Sequence, residues 1–267
     1  MKIIRIIGLT LLCFFLAICF NACGGDDGND AIGDGNVINV AGGWIISGTL
    51  IDIPCDTLDI VTSTTAPFVI TQNNTNVNIS ASDKVVLTGT ISDTNISAFG
   101  TDEEDTIIFN ATVSSDGNSL VNGSIVMVEV EPEGTCVVTY EITGTKQADT
   151  FNIAGTWQLE YTLIPSDPIV CKWDTYAFDE DIIITQTGYD ITFASKFSEY
   201  INTLEGIIAG NLFDALDPAK IFEMSGTVSP DGNTASGNID ITECGIEGEP
   251  SEGSECSCQA SFIMFKK

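Results

Sequence analysis

The chain repeats itself once. Ala41-Gly42-Gly43-Trp44 returns as Ala154-Gly155-Thr156-Trp157, 113 residues later, and Val69-Ile70-Thr71-Gln72 returns as Ile183-Ile184-Thr185-Gln186, 114 later. Leu87-Thr88-Gly89 matches Leu204-Glu205-Gly206, and Asp116-Gly117-Asn118 matches Asp231-Gly232-Asn233. Landmarks kept in one order at nearly constant spacing mark a duplicated unit of about 110 residues. Two copies are too few to stack as a solenoid and suit two domains in tandem. Their expected bounds are 39–147 and 151–267, with separate folding of each copy and an exposed polar link from Thr145 to Phe151.

Within each copy apolar and polar residues alternate over short runs. Val77 and Ile79, Val126 and Val128, Ile182 and Ile184, and Ile239 and Ile241 are examples. Period two means strands. Asn73-Asn74-Thr75-Asn76 and the two Asp-Gly-Asn triplets supply turns, where glycine reaches positive φ without a steric penalty. This makes Asp116 and Asp231 turn residues rather than catalytic acids. Only residues 196–210 offer a weak helical pattern. A run of short strands without helical crossovers meanders antiparallel and closes to remove its edges. The expected fold class is therefore all-β, with two tandem small antiparallel β-barrels following a signal peptide and a flexible tether.

A Gly-x-Trp at the head of the first strand of each copy, Gly42-Gly43-Trp44 and Gly155-Thr156-Trp157, resembles the calycin group, in particular the short lipocalin-like domains of bacterial lipoproteins. That resemblance implies barrels in which Trp44 and Trp157 close one end. It also implies a basic residue late in the last strand lying across each indole: Lys146 in the first copy, Lys266 or Lys267 in the second.

The N-terminus, with Lys2 and Arg5 ahead of an uncharged apolar run from Ile6 to Phe20, reads as a signal peptide spanning 1–22. Phe20-Asn21-Ala22-Cys23 resembles a lipobox, which implies acylation of Cys23 and a lipid-anchored protein of the bacterial cell envelope, expected in the outer membrane. Residues 23–38, rich in Gly, Asp and Asn, are expected to form an acidic tether. Beyond Cys23 six cysteines remain, and an exported protein meets an oxidising compartment. Their places relative to the duplication pair Cys55 with Cys136 and Cys171 with Cys258. Cys244 and Cys256 then staple an insertion in the second copy, with an exchange of Cys256 for Cys258 left open. A zinc site on Cys171, Cys244, Cys256 and Cys258 is the weaker alternative, given the absence of histidine.

Without the leader, 38 acidic side chains face 7 basic ones, all lysine, a formal charge of −31. Such a surface repels phosphate backbones, which excludes nucleic acid as a partner. The acidic runs at 102–105, 129–133 and 247–255 are explained by solvation, with weak calcium binding as the alternative and no other cofactor indicated. Lack of histidine removes Ser-His and Cys-His nucleophiles and the commonest general base. The expected role is thus non-catalytic: an envelope-anchored lipoprotein with two lipocalin-like binding modules for an unidentified small ligand or cell-surface protein. A structural or adhesive surface protein working through its acidic face is the alternative. A carboxylate-based hydrolase is the second alternative.

Overall fold

The computed structural model describes residues 37–52, 62–102, 105–131, 134–148, 151–164, 181–195, 203–219, 222–241 and 258–267. The first copy forms eight strands: β1 (Gly42–Asp52), β2 (Ser63–Asn73), β3 (Asn76–Ser80), β4 (Val86–Ser92), β5 (Asn95–Asp102), β6 (Asp105–Val113), β7 (Ser119–Glu131) and β8 (Gly134–Lys146). Each pairs antiparallel with the next, and β8 returns to β1 to close a barrel. The second copy does the same with β9 (Gly155–Ile164), β10 (Asp181–Thr187), β11 (Asp190–Ala194), β12 (Thr203–Ala209), β13 (Leu212–Leu216), β14 (Phe222–Val228), β15 (Thr234–Ile241) and β16 (Cys258–Lys266), closed by β16 on β9. The protein therefore contains two closed eight-stranded antiparallel barrels in tandem.

Alternation along each strand sends one set of side chains inward. On β14, Phe222, Met224 and Val228 are buried while Glu223 and Thr227 face out. The inward sets form one apolar cluster per barrel, around Trp44, Ile79, Ile96 and Phe109 in the first and Trp157, Phe193, Phe213 and Phe222 in the second. Phe213 stacks obliquely on Phe193 and Phe262, with ring centroids 5.5 and 6.2 Å apart. The barrels are small enough for side chains of this size to occupy the interior.

Gly89 and Gly206 show why the Leu-x-Gly landmark recurs. A Cβ on Gly206 would overlap the carbonyl oxygen of Asp214 and the backbone of Ala215, and one on Gly89 would strike the matching Ser97 and Ala98. Only a residue without a side chain lets the neighbouring strand come this close.

One expectation is corrected. The stretch 196–210, expected to lean helical, carries strand β12 over Thr203–Ala209, and the rest of it up to 202 lies outside the described residues. Of the expected link from Thr145 to Phe151, Thr145 and Ala148 are exposed and residues 149–150 lie outside the described residues. Thr145 and Lys146 belong to β8, while Phe151 packs on the second core and donates its N–H to Gly210 O at 3.2 Å.

Residues 37–267 form one compact unit, because β1 and β2 of the first barrel lie against β12 and β13 of the second. Pro67, Ile207 and Ala209 point out of their own barrels, yet all are buried in this joint.

Candidate functional site

The Trp-bearing end of each barrel is built identically. Trp44 and Trp157 are fully buried, and their indole Nε1 atoms donate to Val40 O at 2.9 Å and Ile153 O at 2.8 Å. The short segment ahead of each Trp is locked by a glutamine the sequence reading did not single out. Gln72 Oε1 accepts from Val40 N at 2.7 Å, and its Nε2 donates to Ile38 O and Asn74 O at 3.0 and 2.8 Å. Gln186 repeats this with Ile153 N at 2.8 Å and with Phe151 O and Gly188 O, both at 3.0 Å. The available signal was the final residue of the repeated Ile-Thr-Gln.

Lys146 and Lys266 stand opposite Trp44 and Trp157 in the strand register. Lys266 Nζ lies 5.7 Å from the Trp157 ring and donates to Asn152 O at 3.4 Å. Lys146 Nζ donates to Asn39 O at 3.1 Å, and partial burial lowers its pKa. Lys267 instead pairs with Asp181.

The Asp-Gly-Asn triplets sit in matching five-residue loops. Ser114 Oγ and Ser229 Oγ donate to Asp116 Oδ1 and Asp231 Oδ1 at 2.5 and 2.6 Å, and the amides of Asn118 and Asn233 donate to the same oxygens at 3.1 Å. The serine bonds, then the amides, hold both exposed carboxyls below their ordinary pKa of 3.8. Gly117 and Gly232, at φ 74° and 71°, complete the turn. These loops are longer than a two-residue hairpin turn, and their acids are engaged by serine hydroxyls and backbone amides within the loop.

A cleft that brings both copies together lies at the joint. It encloses about 310 Å³ between Thr64, Thr65 and Pro67 of β2 and the outward faces of β13, β14 and β15, including Asp214, Glu223, Ser225 and Asn238. Ser82, buried on the first barrel, donates from Oγ to Asp214 Oδ2 at 2.5 Å. The other oxygen, Oδ1, is enclosed and meets no donor. Glu223 stands beside it at the solvent rim, directly across from Asp240 of β15. Partial burial, the charge of Asp214 and a bond to it, and the charges of Asp240 and Asp83 push Glu223 up to about 7. Burial also raises Asp214, with Asp83 adding to the effect against the bonds from Ser82 and Glu223. Near the same joint Lys84 Nζ pairs with Glu205 at 2.5 Å, both half-exposed. Sequence reading missed this group because its members have no acidic counterparts in the first copy.

Cys136 is buried at the start of β8 and is disulfide-bonded, with its partner's side chain outside the described residues. Cys23, Cys55, Cys171, Cys244 and Cys256 lie outside the described residues, as does the side chain of Cys258. Residues 23–36 of the expected tether, the run at 247–255 and parts of the other two acidic runs also lie outside them, whereas Ile38, at the tether's end, packs on the first core. Among the described residues no three acidic or cysteine side chains are grouped to hold a metal ion, and no helix is long and apolar enough to cross a membrane, which says nothing of strands. No protein-family model matches the chain, and no curated protein sequence matches it.

Proposed function

We propose that this chain is a non-catalytic, envelope-anchored binding protein whose two lipocalin-like barrels hold a small polar or cationic ligand in the cleft between them. The observation that carries this reading is the contrast between interior and joint. Both interiors are taken up by side chains such as Trp44, Phe109, Trp157 and Phe213, all at 0% exposure. The cleft, by contrast, offers hydroxyls from both copies together with carboxyl and amide groups from the second. A strongly acidic surface favours cations over fatty acids at that place. The anchor is Cys23, acylated after removal of 1–22, and Cys23→Ser should release the protein from membranes.

Amide shift mapping during titration with spermine, at fixed ionic strength, tests the ligand reading. Shifts are expected at 64–67 and 225–238, with palmitate leaving both cores unperturbed. Shifts at Phe109 or Phe213 on adding palmitate would restore the hollow-barrel model instead. The hydrolase reading draws on Asp214 and Glu223 converging in a cleft.

A further inference from the structure

The joint between the barrels contains an arrangement that binding alone does not require. Ser82 of the first barrel reaches across and bonds Asp214 of the second, so a hydroxyl on one copy is fixed by a carboxylate on the other. Asp214 Oδ1, enclosed beside that bond, meets no donor. A buried acceptor left unpaired is costly, and a protonated carboxyl alongside it would supply the missing hydrogen. Glu223, on the paired strand β14 and lining the same cleft, is the carboxyl that can supply it.

We propose that this joint is a proton-operated latch, in which Asp214 and Glu223 hold one proton between them while Ser82 clasps Asp214, and in which loss of that proton loosens the two barrels from one another.

The charges around the pair explain the direction. From the first barrel, Asp83 adds a negative charge to the field at both carboxyls, and from β15 Asp240 faces Glu223. On β12, Glu205 is engaged with Lys84 of the first barrel, so that cation already has a partner. The stretch of β2 lining the cleft, Thr64 to Pro67, contributes no titratable group. Ionising Glu223 thus sets it against Asp214, Asp240 and Asp83, and the Asp83 repulsion acts across the joint itself.

Glu223 binds its proton more tightly in the closed joint than its ordinary pKa of 4.5 implies, its carboxyl being pushed up to about 7 by burial and by the charge of Asp214. More protons are bound closed than open between those values. Closure is therefore fully favoured below the ordinary carboxyl range and weakens as pH rises through about 7. No histidine exists in the chain to produce a transition in the same window. In the first barrel the strand positions matching Asp214 and Glu223 are Ser97 and Ile108, so the pair belongs to the joint and not to the barrel fold.

Amide ¹⁵N relaxation on the full chain at pH 5.5 and pH 8 reads the coupling of the barrels directly. At pH 5.5 both should tumble with one correlation time, and at pH 8 each should shift toward the time of a body half the size. Glu223→Gln, which keeps a donor and carries no charge, should hold the single slow time at both pH values. Ser82→Ala should give the shorter times at both. Identical wild-type times at the two pH values would overturn the latch, as would an unchanged pH response in Glu223→Gln. If a variant fails to fold, the carboxyl ¹³C titration of wild-type Glu223 decides. A midpoint near 7 supports the shared proton, and one near 4.5 overturns it. None of these readings depends on a ligand, so failure of the spermine experiment and failure of the latch are separable.

Discussion

Replacing Gln186 with alanine removes the side chain that fastens the entry segment of the second barrel, and its cost can be worked from the bonds it makes. Three are lost: from Ile153 N at 2.8 Å, and to Phe151 O and Gly188 O at 3.0 Å each. A neutral hydrogen bond contributes about 1 kcal/mol net, and a partly buried group stranded by the deletion costs more. Water can replace the exposed bond to Gly188, so the expected loss is about 2 kcal/mol. If the two barrels unfold together, that lowers the melting midpoint by about 4–8 °C. Gln72→Ala should cost about as much, because its three bonds are the same in kind and length. Trp157→Phe removes the bond to the carbonyl of the same Ile153, so a double-mutant cycle with Gln186→Ala should show coupling of about 0.5 kcal/mol or more. Urea unfolding at neutral pH measures the wild type and the four variants. A Gln186→Ala loss below about 0.5 kcal/mol would refute the reasoning and leave the segment held by the buried Trp alone.

Gly206→Ala should destabilise by at least about 1–3 kcal/mol in urea, because its Cβ collides with backbone, whereas Gly188→Ala, with open space but φ 64°, should cost about 1–2 kcal/mol from conformation alone. Asp231 has its folded pKa below 3.8, so its contribution is present above that value and lost as pH falls through the lower folded one. Melting from pH 6 downward should therefore show the gap between wild type and Asp231→Asn closing only in acid. Phe99 is 63% exposed on the outside of β5, so Phe99→Ser should leave stability within about 0.5 kcal/mol while raising the solubility limit.

The duplication, the strands and the sealing tryptophans were legible because each leaves a local mark: a repeated string, period two, or a rare large residue at a fixed place. β12 was misread for a physical reason. Leu204, Ile207 and Ile208 recur at helical spacing because the strand is apolar on both faces, Leu204 and Ile208 toward its own core and Ile207 and Ala209 toward the other barrel. A chain read one copy at a time cannot reveal that a second barrel covers the outer face. The same blindness hid Asp214 and Glu223. They sit on different strands, their partners Ser82 and Asp83 come from the other copy, and matching the repeats sets them against Ser97 and Ile108. The glutamines were visible in the repeat but silent as to role, since nothing local tells a bonded glutamine from a solvated one.

A composite site requires the joint, and Gly43 is where the joint can be opened without touching either core. A Cβ there would come within 2.7 Å of the Tyr189 ring and 3.1 Å of Ala209 Cβ, both on the second barrel. Its counterpart in the second copy is Thr156, so the barrel itself accepts a side chain at that position. The decisive measurement is the spermine titration repeated on Gly43→Leu by amide shift mapping. If the ligand is held between the barrels, the variant should keep the core amide pattern of both barrels and lose the response at 64–67 and 225–238. An undiminished response at those residues, with the joint disrupted, would contradict a site shared by the two copies.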